Sequence, residues 1–155
     1  RCHCDDCRRA NAHFGIPGTR EEGVGLWQTT PDRVKIDEGA VHLRLMRLTG
    51  KGVLRWYAGC CDTPLFNTMG TPKLPFVGVL TDRLEATEPL GPIIAEGFVE
   101  GTGGKSRHVH GGRVVGRFLR RTVAARLSGR WKETPFFDPV TGEPMAEIER
   151  PEGQA

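Results

Sequence analysis

Five cysteines fall in two tight groups, Cys2, Cys4 and Cys7 at the start of the chain and Cys60-Cys61 near its middle. This clustering limits what the chain can fold into more than any other feature. A disulfide framework spreads its cysteines along the chain, and a Cys-x-Cys pair is badly placed to bridge itself. No stretch has the charged-then-apolar layout of a signal peptide, and the apolar runs are only a few residues long, so no membrane-spanning segment and no membrane partner are expected. Clustered thiols without a secretion signal point to a reducing, cytoplasmic compartment and to metal binding. The metal-type motif begins at the second residue, after Arg1, from which we expect that an N-terminal strand and further ligands precede it.

The chain has 155 residues, with Gly 21 and Pro 11. That length suits one domain, and the turn formers favour short strands over long helices. We therefore expect a single domain over 1–155, mainly β with one or two helices (α+β), with 135–155 as a peripheral tail. Residues 5–13 read as a short helix capped by Asp5 or Asp6 and stopped by Gly15 and Pro17. Strands are expected at Val24–Thr30, Val34–Ile36, Val41–Leu48, Val53–Ala58 and Phe76–Leu80, each rich in β-branched or aromatic residues and bounded by turn formers. Residues 81–110 read as loop. A second helix is expected from Arg113 to about Leu127, with Val114, Val115, Phe118, Leu119, Val123 and Leu127 forming one apolar face.

The run Cys2-His3-Cys4-Asp5-Asp6-Cys7 lets one tight turn aim three sulfurs at a common point. Zinc takes four ligands in a tetrahedron with Zn–S of about 2.3 Å. Three thiolates around Zn²⁺ leave one position free, either for a substrate or for a fourth protein ligand such as Cys60 or Cys61. His3 is read as an exposed residue or one that supports the ligands from behind. In the second group, Cys60 and Cys61 end a strand in a tight turn. Adjacent residues of an extended chain point opposite ways, so one is expected to bind metal and the other to pack. The metal candidates are thus Cys2, Cys4, Cys7, Cys60 and Cys61.

The two groups, in this order, resemble the glutathione-dependent formaldehyde-activating enzyme family, which includes centromere protein V. Cys2-His3-Cys4-Asp5-Asp6-Cys7 is similar to the family's Cys-His-Cys-x-x-Cys motif. Arg55-Trp56-Tyr57-Ala58-Gly59-Cys60-Cys61-Asp62-Thr63 is similar to its Arg-x-Phe-Cys-x-x-Cys-Gly-Thr motif, with Ala58 in place of the first Cys and Asp62 in place of the Gly. Its wording through Asn67-Thr68 looks like that of a bacterial branch. The resemblance implies an Mss4-like zinc-bound β fold, a catalytic zinc at the first motif and a structural zinc shared between the last motif and an upstream Cys-x-Cys-Gly. It implies carbon–sulfur lyase activity on thiol–aldehyde adducts, with a small thiol such as glutathione as partner.

Net charge is only +3, yet Lys105 to Lys132 carries nine Lys/Arg and no Asp/Glu. The alternative function is a non-catalytic, zinc-stabilised binding module that uses the basic helix 113–130 for an anionic partner. No aromatic residues interleave with these arginines in the manner of a single-strand binder, so nucleic acid is not expected. Gly101–Ser106 lacks the first glycine of a phosphate loop, since Val99 stands there, and reads as a plain loop. His108 and His110 read as loop residues.

Overall fold

The computed structural model describes residues 1–16, 18 and 20–151. Eight strands and two helices follow one another as α1 (Asp5–His13), β1 (Leu26–Thr29), β2 (Leu43–Met46), β3 (Leu54–Ala58), β4 (Thr63–Thr68), β5 (Val77–Leu80), β6 (Glu96–Glu100), β7 (Ser106–Val109), α2 (Gly111–Leu127) and β8 (Ile148–Glu149). Six strands form one sheet in the order β1-β5-β4-β3-β2-β8, and β6-β7 form a separate hairpin. All pairings are antiparallel except β2 with β8. The mainly β architecture with two helices agrees with the expected class.

Strand β3 organises the interior. Its alternation sends Leu54 and Trp56 to one face and Arg55 and Tyr57 to the other, and all four are buried. On the first face Trp56 joins Leu45, Val77, Val79, Phe136 and Phe137 in the main core. Each large side chain buried there contributes about 1.5–3 kcal/mol. The indole Nε1 of Trp56 donates to Thr68 Oγ1 at 2.9 Å, which satisfies the core's buried donor. The opposite face is covered by α1, where Ala10 and Phe14 pack on Met46, Leu48 and Tyr57. This packing holds the N-terminal cysteines against the sheet.

Several expectations need correction. The segment from 135 is not a peripheral tail. Phe136 and Phe137 are 0% and 2% exposed, their rings lie 5.2 and 6.3 Å from Trp56, and β8 completes the sheet. Apolar burial outweighs the local turn signals of Pro135 and Pro139. Residues 152–155 of that tail lie outside the described residues. Val34–Ile36 forms no strand, although Val34 packs on the core. Residues Ala40–His42 form a single 3-10 turn ahead of the shorter β2. Strand β4 was hidden by Pro64, which has no N–H to give to a ladder. The structure accommodates it with a register shift opposite Trp56 and Tyr57. The region read as loop holds the β6–β7 hairpin, and Gly101–Gly104 make its turn.

Both helices fall where expected, with two changes. Cys4, not Asp5 or Asp6, caps α1. Gly15 follows the helix in the left-handed conformation, and Pro17 lies outside the described residues. In α2 the apolar positions split. Thr122 and Ala125 are buried and Val114 and Phe118 half-buried, with Phe118 edge-on to Phe76. Val115, Leu119, Val123 and Leu127 are exposed. The exposed four repeat at i+4 spacing beside the packed residues along the same length of helix, so a second apolar band is left outside.

Candidate metal centre

Backbone pairing places the first cysteine before any side chain acts. Cys2 lies between two neighbours. It exchanges N–H···O bonds with Val24 at 2.9 and 2.8 Å, while its flanking residues bond Gly97 at 2.8 and 2.9 Å. The turn into α1 then brings Cys4 and Cys7 alongside. Cys4 Sγ accepts the backbone N–H of Cys7 at 3.4 Å as the helix cap, so a sulfur takes the place usually held by an oxygen. The positive end of the helix favours thiolate there. Cys7 is buried against Val24 and Leu80.

The result is three ligand atoms, those of Cys2, Cys4 and Cys7, all within 4.8 Å of one another. The Cys2 and Cys4 sulfurs are 3.3 Å apart. A tetrahedron with Zn–S of about 2.3 Å has an edge of about 3.8 Å, so one ion of that size fits the spacing, and an all-thiolate donor set suits a thiophilic metal. As thiols the three are strongly interdependent. Hydrogen bonds from Cys2 and Cys7 hold Cys4 far below the usual thiol range. Sharing hydrogen bonds with Cys2 and then Cys4 pushes Cys7 up, and the bond to Cys4 pushes Cys2 up. Sulfurs this close cannot all carry charge unless a cation lies among them.

His3 lies outside the converging group of ligand atoms, and it is buried rather than exposed. Its Nδ1–H donates to the Arg20 carbonyl at 2.7 Å, and Nε2 lies 3.6 Å from Glu96 Oε2. The imidazole ties the cysteine turn to the loop that follows α1. Gly23 makes room for it. This residue has φ of +61°, and a Cβ there would sit 2.8 Å from the His3 ring. Any other residue would meet both strain and a clash.

Cys60 and Cys61 do not join this group. They lie exposed in the turn between β3 and β4, with their sulfurs 3.9 Å apart. Neither packs in the interior, and they do not point opposite ways, because the chain is turning there and Asp62 adopts φ of 51°. Thr63 Oγ1 lies 3.1 Å from Cys61 Sγ and, with Cys60, holds that thiol below its ordinary range. His108 stacks edge-on against Phe98, outside the cysteine group.

Two clefts meet beside Cys4 and Arg20. One, of about 310 Å³, is bounded by Cys2, His3, Arg8 and Asp82. The other, of about 320 Å³, lies between the first turn of α1 and the β6–β7 hairpin, where Phe98, Glu100 and Lys105 face it. A larger hollow of about 550 Å³, walled by Pro31, Val34, Leu43, Pro135 and Met145, contains no cysteine or histidine, so size alone does not mark the chemistry. Two further residues matter here that spacing did not single out. Arg20 belongs to both clefts, and Arg55 reaches Cys7 from the sheet. Arg55 was visible only as a motif letter, and nothing local marked Arg20.

The family of unknown function DUF6151 matches residues 1–149 of the chain. No curated protein and no solved structure matches it.

Proposed function

We propose that this chain, which belongs to the DUF6151 family of unknown function, is a zinc protein that cleaves or forms carbon–sulfur bonds in thiol–aldehyde adducts of the S-hydroxymethylglutathione type. Cys2, Cys4 and Cys7 hold the ion, and the fourth coordination position receives the substrate sulfur. One observation carries this reading. The three ligand atoms converge within 4.8 Å, and among the described residues no fourth His, Cys, Asp or Glu joins them. An open position is what separates a catalytic zinc from a structural one.

Zinc bound in this way supplies Lewis acidity that favours the thiolate form of a ligand sulfur. The chain supplies the rest. The helix start at Cys4 adds positive potential, and the adjoining clefts carry charges of both signs, with Arg8, Arg20 and Lys105 beside Asp5, Asp6, Asp82 and Glu100 and both Arg8 and Arg20 ion-paired to Asp5. Burial of Cys7 keeps one side of the site dry. The resemblance to the glutathione-dependent formaldehyde-activating enzymes supports the same chemistry. It also supports a cytoplasmic setting and a role for Cys60 and Cys61 in a second, structural zinc site. Among the described residues no helix is long and apolar enough to cross a membrane.

The test is cobalt substitution followed by titration with glutathione and other small thiols. The reading predicts that a thiol perturbs the cobalt–thiolate charge-transfer band. A band that no thiol alters contradicts it.

A second reading rests on α2. Arg113, Arg117 and Arg120 are exposed along one flank, as a non-catalytic module binding an anionic partner requires. Salt-dependent retention on heparin that is lost when Arg117 and Arg120 become Ala favours it. Retention unaffected by those changes contradicts it.

A further inference from the structure

Arg55 is a buried cation without a carboxylate. It is 6% exposed, and none of the ion pairs among the described residues involves it. Its Nη1 donates to Asn67 Oδ1 at 3.4 Å and lies 4.0 Å from Cys7 Sγ. An arginine keeps its proton in any protein environment, and a buried charge is retained only where an opposite charge or hydrogen bonds compensate it. The Asn67 amide is neutral. The other partner of the same Nη1 is a sulfur of the metal-binding group.

We infer that Arg55 is the counter-charge of the metal–thiolate centre, and this rests on the zinc reading above. Three thiolates around a divalent ion leave one net negative charge. The guanidinium beside Cys7 offsets it through space without ligating, so the loaded centre and Arg55 together are neutral before any substrate arrives. An anionic sulfur can then enter the fourth position without building up an isolated double negative charge. The placement follows from the fold. Arg55 lies on the face of β3 opposite Trp56, which is the face that α1 covers, so sheet alternation delivers the cation to the helix that carries Cys7. Arg55 is thus a positioning residue that acts through the thiolates.

Zinc affinity, measured by chelator competition on the full chain, tests this in two backgrounds. In the natural Cys₃ site, Arg55→Met should weaken zinc by about tenfold to a hundredfold, the range seen when groups supporting metal ligands are removed. In a Cys4→His background the ligand set carries one charge less, so most of the loss caused by Arg55→Met should disappear, which is a coupling that a purely structural role would not produce. Equal zinc affinity of Arg55→Met and the parent chain overturns the inference, as does an equal loss in both backgrounds. If Arg55→Met does not fold, Arg55→Lys decides by spectroscopy. Moving the positive charge away from the sulfurs should shift the cobalt–thiolate charge-transfer band to longer wavelength, and an unshifted band overturns the inference. A parent chain that binds no zinc defeats the metal reading itself, whereas normal zinc binding by Arg55→Met defeats only the role of Arg55.

Discussion

Tyr57 Oη donates to Glu149 Oε2 at 2.6 Å, fastening the centre of the sheet to the last strand across 92 residues of chain. Burial, and then the adjacent carboxylate, push the phenol up to about 12, against about 10 for a free tyrosine. The fold therefore favours the protonated phenol. Its contribution to stability is complete below about pH 10 and is lost as pH rises through about 12. Tyr57 is the only tyrosine, so phenolate absorbance reports it alone. A midpoint near 12 that moves down in Glu149→Gln is expected, and a midpoint near 10 contradicts the contact.

Phe136 is the sharpest test of the C-terminal segment. It is fully buried against Trp56 and Phe66, at ring separations of 5.2 and 5.4 Å. Phe136→Ala should cost about 3–5 kcal/mol in denaturant unfolding. A cost under about 0.5 kcal/mol, as at an ordinary surface position, contradicts its place in the core.

The orientation of α2 can be checked with a pair of adjacent residues. Leu119 is 54% exposed, while Phe118 meets Phe76 at 6.1 Å. Leu119→Glu should change stability by less than about 0.5 kcal/mol, and Phe118→Ala should cost more than about 1 kcal/mol. The reverse order contradicts the orientation.

Gly23 holds the loop that closes on the cysteine turn. Gly23→Ala should cost about 1–3 kcal/mol from its left-handed backbone alone, and it should also weaken metal binding by displacing His3. Unchanged stability and affinity contradict that role. Thermal unfolding and chelator competition measure the two effects.

These tests fall unevenly on what the sequence already displayed. The cysteine group was legible because most of its geometry is local. Cys4 and Cys7 are aimed by the helix start, and their spacing to Cys2 states as much, although the pairing with Val24 and Gly97 that fixes Cys2 is not local. β3 and α1 were legible for the same reason, through alternation and capping signals. Strand β4 was obscured by Pro64, which lies beyond the part of β4 that pairs with β5 and beside the register shift in its pairing with β3. Phe136 and Phe137 looked peripheral because turn residues flank them, and burial against Trp56 is a long-range fact. The one apolar face expected of α2 became two because periodicity shows which residues share a side, not how much of that side a partner covers. Arg55 and Gly23 gained their roles from neighbours distant in sequence, 48 residues away in the case of Arg55 and Cys7, and no local pattern encodes such a pairing.

The most direct measurement is zinc content per chain, determined by elemental analysis on the purified protein and on two variants made in parallel. The account predicts that Cys4→Ser lowers the zinc content by up to one equivalent relative to the unaltered chain, and that Cys60→Ser leaves the ion at the first group in place. Equal zinc content in the unaltered chain and in Cys4→Ser would contradict it.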